Sequence, residues 1–215
     1  MDTGRLEAFS DGVIAVAITL LVLDLAVPQP HAHPAHSLAY QLGREWPRYA
    51  AYVVSFATIG IVWINHHAAI ARLRQTDHAI LVLNLLLLMS IGVLPFATSL
   101  MAAYLQHTGS DQQLAAALYA GAFLLMALAF AALDVYILLL KSQLLGEQLP
   151  RDQRVQILRW AITGLVPYAV ATAIAPLSPY ATLAICGAVA MFYALPIASG
   201  TGRGAAAIGP GPDVQ

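Results

Sequence analysis

Ser10 and Asp11 stand at the head of a long apolar run, and their side-chain oxygens could bind an ion. A carboxylate can hold a cation or a proton, but in an apolar environment it is costly unless it is paired. Arg5 is a near partner in sequence. Further polar candidates occur together in the second apolar run, and they are Trp63, Asn65, His66 and His67. We therefore predict a polar cluster that joins these two segments.

Histidines also raise the question of a metal site. His31, His33 and His36 lie close together in the sequence, and imidazole is a good ligand for zinc or copper. Proline and alanine dominate between them, and no carboxylate or cysteine joins them. We interpret the segment as a solvated loop, with a metal site as the alternative.

An enzyme is the least favoured function. A metallohydrolase could be built on His66, His67, Asp77 and His78, but the HEXXH pattern is absent and the last two residues fall in a short loop. We expect no catalytic residues, no resident metal and no cofactor.

The composition indicates where these residues must lie. Of the 215 residues, 60% are hydrophobic and only 10% are charged, whereas a soluble domain has about 25% charged residues. The formal net charge of −1 indicates no nucleic-acid partner. We predict an all-α, polytopic membrane protein whose solvent is the lipid bilayer.

Six apolar segments reach the length of about 20 residues that a membrane-spanning helix needs. We predict a transmembrane domain over residues 1–200 and a disordered tail over residues 201–215, which are rich in glycine and proline. The predicted spans are Leu6–Val27, Pro47–Ile70, Ala79–Leu105, Gln113–Leu140, Val155–Ala175 and Pro179–Ala198.

The basic residues predict the orientation. Arg44 and Arg48 would lie on one side of the membrane, and the other eight basic residues would lie on the side of both termini. Because basic residues favour the cytoplasmic side, we predict that both termini are cytoplasmic.

The first span has an apolar stripe. On a helical wheel at about 100° per residue, this stripe is roughly 60° wide. Phe9 continues it toward the chain start, Ser10 and Asp11 point away from it, and Thr19 lies on its flank. The stripe consists of Val16, Leu20, Leu23 and Val27.

These residues carry a resemblance to a known family. The pattern Arg5-x-x-x-Phe9-Ser10-Asp11, followed by the apolar run, resembles the signature of the transmembrane protein 175 family of potassium channels. The stretches "GIVWINHH" (60–67) and "VLPFATSLM" (93–101) are also similar to that family. With the six-helix organisation, the resemblance extends to about residue 200.

The resemblance implies a potassium-permeable channel of the cell membrane, assembled as a homotetramer. The first helix of each subunit would line the pore and Arg5, Phe9, Ser10, Asp11, Asn65, His66 and His67 would hold it in place. The hydrophobic constriction would fall at Val16, with further layers at Leu20 and Leu23, and Thr19 could offer its hydroxyl to a passing ion. The family has no TVGYG-type filter, and this sequence contains none.

A proton-coupled secondary transporter is the alternative, using Asp11, Asp134 and the His66–His67 pair. Transporters often show paired halves around a midplane site, and no such pairing is visible here. Asp134, like Asn84, is expected to make an interhelical hydrogen bond. Asp24, near the other end of the first span, could gather cations or be solvated.

Overall fold

The computed structural model describes residues 3–25, 27–28, 37–146 and 149–194, and its elements are helices. The predictions for His31, His33 and His36 and for the tail at 201–215 fall outside these residues. The α-helices are α1 (Thr3–Leu20), α2 (Leu38–Arg44), α3 (Trp46–Ala71), α4 (His78–Tyr104), α5 (Ser110–Val135), α6 (Arg151–Thr163), α7 (Leu165–Ile174) and α8 (Pro179–Ala194).

Five helical stretches are long and apolar enough to cross a membrane, and α8 is a shorter apolar helix of 16 residues. The five stretches are Thr3–Asp24, Trp46–Ala71, His78–Tyr104, Ser110–Leu140 and Arg151–Ile174. The prediction of an all-α, polytopic membrane protein is confirmed.

The first and the fifth spans are less regular than their hydrophobicity predicts. The α-helix predicted to reach Val27 ends at Leu20 and continues as a 3₁₀ helix over Leu21–Asp24. The fifth span is broken at Gly164, between α6 and α7. Pro167 accounts for this break, because its ring excludes the carbonyl of the residue four positions earlier from helical hydrogen bonding. Hydrophobicity reports apolar length and does not resolve such changes in backbone geometry.

α4 is the central helix, and it packs against α1, α3 and α5. A hydroxyl cluster, defined here as Ser55, Thr98 and Tyr119, joins α3, α4 and α5 inside the protein. The Oγ of Ser55 lies 2.8 Å from the Oγ1 of Thr98 and 3.2 Å from the Oη of Tyr119. All three side chains are buried, so their mutual hydrogen bonds satisfy groups that lipid cannot.

Two connecting loops meet on one side of the bundle. Leu73, after α3, forms an antiparallel bridge with Leu145, after α5. The amide of Arg74 donates to the carbonyl of Leu144 at 2.8 Å, and the amide of Gly146 donates to the carbonyl of Arg72 at 2.8 Å. The α3–α4 and α5–α6 loops therefore share a side, as the six-span prediction requires.

Asp77 caps the start of α4, and its loss should lower the stability of the protein. Its Oδ1 accepts from the amide of Ile80 at 2.9 Å, and its Oδ2 accepts from the hydroxyl of Tyr136 at 2.8 Å. The hydrogen bond from the Ile80 amide is the main reason why the pKa of Asp77 is lowered. Replacing Asp77 with alanine should cost about 1 kcal/mol of stability.

The pH dependence has a definite sign. Because the folded pKa of Asp77 is depressed, its contribution is present above the unfolded value and is lost as pH falls through the folded value. Asp77→Asn keeps the cap but cannot titrate in this way. Thermal melts in detergent at pH 7 and near pH 3 should show this Asn variant close to wild type at pH 7 and less sensitive to acid. Equal acid sensitivity of the two proteins would contradict the prediction.

Candidate functional site

A buried hydrogen-bond chain, Ser10–Asn84–His66, joins α1, α4 and α3. The Nδ2 of Asn84 donates to the Oγ of Ser10 at 3.0 Å, and its Oδ1 lies 2.7 Å from the Nε2 of His66. The Oγ of Ser10 also donates to the carbonyl of Leu6 at 2.9 Å. All three polar side chains are fully buried. Asn84 is thus the bridge between the serine and the histidine that the sequence placed on separate helices.

A second, more exposed set of contacts lies beside this chain. The Nε1 of Trp63 donates to the Oδ1 of Asp11 at 2.8 Å. The Nδ1 of His67 lies 2.8 Å from the Oε1 of Glu7, forming an ion pair when the imidazole is protonated. Glu7 was not among the sequence candidates. Its position one helical turn before Asp11 was the available signal, because residues four apart share a helix face.

Three of the residues predicted to hold the first helix in place take no part in these contacts. Arg5, Phe9 and Asn65 are exposed. Within the part of the chain that the structure describes, neither ion pair involves Arg5. The contacts of Asp11 and Ser10 are made instead by Trp63 and Asn84, both neutral donors.

The other end of the first span is also attached to the bundle. The Oδ2 of Asp24 accepts from the hydroxyl of Ser99 on α4 at 2.5 Å. The carbonyl of Asp24 accepts from the guanidinium of Arg48 on α3 at 3.1 Å. Asp24 is therefore a tertiary contact rather than a solvated carboxylate, and α1 with its 3₁₀ extension is fixed at both ends.

Between these attachments the first span leaves an apolar face uncovered. The exposed fractions are 57% for Val16, 44% for Leu20 and 76% for Leu23. On the opposite face, Ile14 and Leu21 are at most 1% exposed. The uncovered side chains are those of the predicted stripe. Leu23 lies in the 3₁₀ segment and not in the α-helix from which its direction was predicted.

Thr19 lies at the edge of this face. It is exposed, and its Oγ1 donates to the carbonyl of Val16 at 2.9 Å. Because the hydroxyl hydrogen is used within the helix, the oxygen lone pairs face outward as acceptors. Such an oxygen can contact a cation but cannot donate to an anion.

Asp134 makes no contact with the other groups of the transporter hypothesis among the described residues. Asp134 is buried on α5. Among the contacts of the described residues, none joins Asp134 to Asp11 or to either histidine. The three groups required by the transporter hypothesis therefore do not form one site.

Loss of the Asp11 carboxylate should loosen α1 from α3. Asp11→Ala removes the acceptor of the Trp63 hydrogen bond, and we expect a loss of about 1 kcal/mol. Asp11→Asn keeps an acceptor oxygen and should recover most of that loss. Thermal unfolding in detergent, with size-exclusion chromatography to monitor assembly, measures both. If the alanine and asparagine variants melt at the same temperature, the hydrogen bond is not what holds the helices together.

Comparison with known proteins gives an independent line of information. Residues 5–95 match the family model described as "Endosomal/lysosomal potassium channel TMEM175". The chain is 41% identical to a potassium channel of Streptomyces collinus, over 89% of this chain and 91% of that protein. It is 42% identical to the human endosomal/lysosomal proton channel TMEM175, over 43% of this chain but only 20% of that protein.

A solved structure is similar over nearly the whole chain. It is the crystal structure of a lysosomal potassium-selective channel TMEM175 homolog from Chamaesiphon minutus. The two chains superpose with a TM-score of 0.79 at 38% identity, over 89% of this chain and 96% of that one.

Proposed function

This chain belongs to the TMEM175 channel family, and from that premise we propose that it forms a potassium-permeable pore in the cell membrane. The family is one of ion channels and not of enzymes. The bacterial relative that matches almost end to end is named a potassium channel. The human relative named a proton channel is matched over only 20% of its length. Potassium is therefore the ion that the more complete similarity supports.

The observation that carries the proposal is the uncovered apolar face of the first span. The buried Ser10–Asn84–His66 chain fixes one end of this span, and the contacts of Asp24 fix the other. An apolar face held in this way either meets lipid or faces a symmetry axis. Family membership favours the axis, with Val16, Leu20 and Leu23 as successive rings.

One span per subunit cannot enclose a pore, so several copies must surround the axis. We propose a homotetramer, in which four first spans line the pathway and Val16 forms the ring nearest the cytoplasm. Because these rings carry no charge and the sequence has no TVGYG-type filter, ions cross them partly hydrated. Selectivity is then modest and favours the weakly hydrated K⁺ over Na⁺.

The orientation is part of the same proposal. Arg72 and Arg74 lie in the loop that pairs with the α5–α6 loop, and Glu7 of α1 contacts the end of α3 on that side. These two arginines therefore share a side with the start of the chain. By the positive-inside rule this side is the cytoplasm.

Cysteine accessibility tests the pore directly. In a Cys186→Ala background, Val16→Cys, Leu20→Cys and Leu23→Cys should react with a water-soluble thiol reagent and lose K⁺ flux in liposomes. The matched control is Ala17→Cys, because Ala17 is buried on the opposite face. A proton-sensitive dye in the same liposomes separates passive K⁺ conduction from coupled exchange. If all four cysteines are equally protected, the stripe is not a water pathway.

A further inference from the structure

Glu7, Asp11 and His67 form a group of potential metal ligands outside the apolar face, and we name them the carboxylate–imidazole cluster. One ligand atom from each residue lies within 4.8 Å of the other two. We propose that this cluster binds a divalent transition-metal ion of the zinc class, which joins α1 to α3. The site lies within one subunit, and its binding does not depend on ion conduction.

The charge of the cluster favours a bound cation. Glu7 and Asp11 lie one turn apart on α1, and like charges at this spacing repel each other. Among the described residues the ion pairs are Arg48–Glu45 and His67–Glu7, so no lysine or arginine compensates these two carboxylates there. With a neutral imidazole the cluster has a formal charge of −2, which a divalent cation neutralises.

The spacing of the ligand atoms is close to that of a tetrahedral zinc site. Ligand atoms bound to tetrahedral zinc at about 2.0–2.1 Å are separated by about 3.3 Å. The Nδ1 of His67 and the Oε1 of Glu7 are 2.8 Å apart, and the largest separation in the cluster is within 4.8 Å. Side-chain rotations that move the ligand atoms by less than about 2 Å would therefore be enough to form a tetrahedral site, with no movement of either helix.

The donor set selects the class of metal. One imidazole and two carboxylates supply three ligands, and a water would complete a tetrahedron because His67 is largely exposed. Imidazole suits zinc, cobalt, nickel and copper. Calcium and magnesium need about six oxygen ligands and gain little from such a site.

Trp63 orients two of the three ligands. Its Nε1 donates to the Oδ1 of Asp11 at 2.8 Å, which leaves the Oδ2 available. Its ring also contacts the ring of His67, with centroids 6.2 Å apart. Groups that hold metal ligands in this way typically change affinity by about 10- to 100-fold when they are removed.

The test uses cobalt and zinc with the full-length protein in detergent, free of any affinity tag. His31, His33 and His36 are first replaced by alanine, so that the predicted loop alternative cannot contribute. In this background we expect Co²⁺ to give visible absorption bands of a four-coordinate site, and Zn²⁺ to displace it in a titration. Calorimetry with Zn²⁺ should show one ion bound per subunit.

Single substitutions test which residues bind the metal ion. Glu7→Gln and His67→Gln should abolish the cobalt bands and weaken Zn²⁺ binding by at least about tenfold, and Trp63→Phe should weaken it by about 10- to 100-fold. His78→Gln and His107→Gln are the matched controls, because both histidines are exposed and outside the cluster. Size-exclusion chromatography verifies that each variant is assembled. Bands that persist in His67→Gln, or fail to form in the loop-alanine background, would overturn the proposal.

Discussion

Replacing Asn84 with leucine should be the most destabilising single change among the polar residues of the site. The Nε2 of His66 would lose its partner, and its Nδ1 already has no hydrogen bond. The imidazole would then be fully buried without any hydrogen bond among the described residues. We expect a loss of about 2 kcal/mol, since an unpaired buried group costs about 1–3 kcal/mol and interhelical bonds in membranes are at the lower end.

Two further variants make this prediction specific. Asn65→Leu is the matched control, because Asn65 is an exposed asparagine on α3 and should tolerate leucine. Asn84→Leu combined with His66→Leu removes both partners and should recover stability relative to Asn84→Leu alone, since replacing a whole polar pair can be nearly neutral. Thermal unfolding in one detergent measures all three. A double variant that melts below Asn84→Leu would show that the bond is not the source of the loss.

Leu20→Asn should have the largest effect on ion flow. If Leu20 forms an apolar ring around the axis, an amide there would wet the constriction and lower the barrier to hydrated ions. We expect about a tenfold rise in K⁺ flux, corresponding to about 1.4 kcal/mol, with weaker discrimination against Na⁺. Val16→Ala should widen its ring and Leu23→Ser should make its ring more polar. Both substitutions should raise K⁺ flux and weaken discrimination against Na⁺.

The control for these variants is a similarly exposed leucine elsewhere. Leu125 on α5 has an exposed fraction of 50%, against 44% for Leu20. Leu125→Asn should leave the K⁺ to Na⁺ flux ratio unchanged in liposomes. Unchanged flux and selectivity in well-assembled Leu20→Asn, Val16→Ala and Leu23→Ser would show that the first span does not line the pore.

The sequence predicts the helices well because their signal is local. Long apolar runs specify spans, and Asp77 and Pro47 mark where two of them begin. The family was also recognisable from the residues around Asp11, and the comparisons confirm it. The roles of Val16, Thr19, Leu20 and Leu23 in permeation stay predictions.

The partners of the polar residues could not be derived in the same way. Ser10 and Asn84 are 74 positions apart, and their contact depends on the rotation of two helices about their own axes. Arg5 and Trp63 were both candidate partners of Asp11, and only the packing of α1 on α3 shows that Trp63 donates to it. Likewise, the hydrogen bond between Ser99 and Asp24 could not be predicted, because hydrophobic periodicity does not indicate which polar side chains meet.

The hydroxyl cluster and the Ser10–Asn84–His66 chain together have a consequence for how the protein inserts. Ser55 and His66 are 11 residues apart on α3, and their α4 contacts, Thr98 and Asn84, are 14 apart in the opposite order. Apolar side chains would tolerate a slip of one helix past the other by a turn, about 5.4 Å. Such a slip would separate both polar pairs at once. Both contacts form only when α3 and α4 have their native alignment, so together they favour that alignment over shifted helix pairs during membrane assembly.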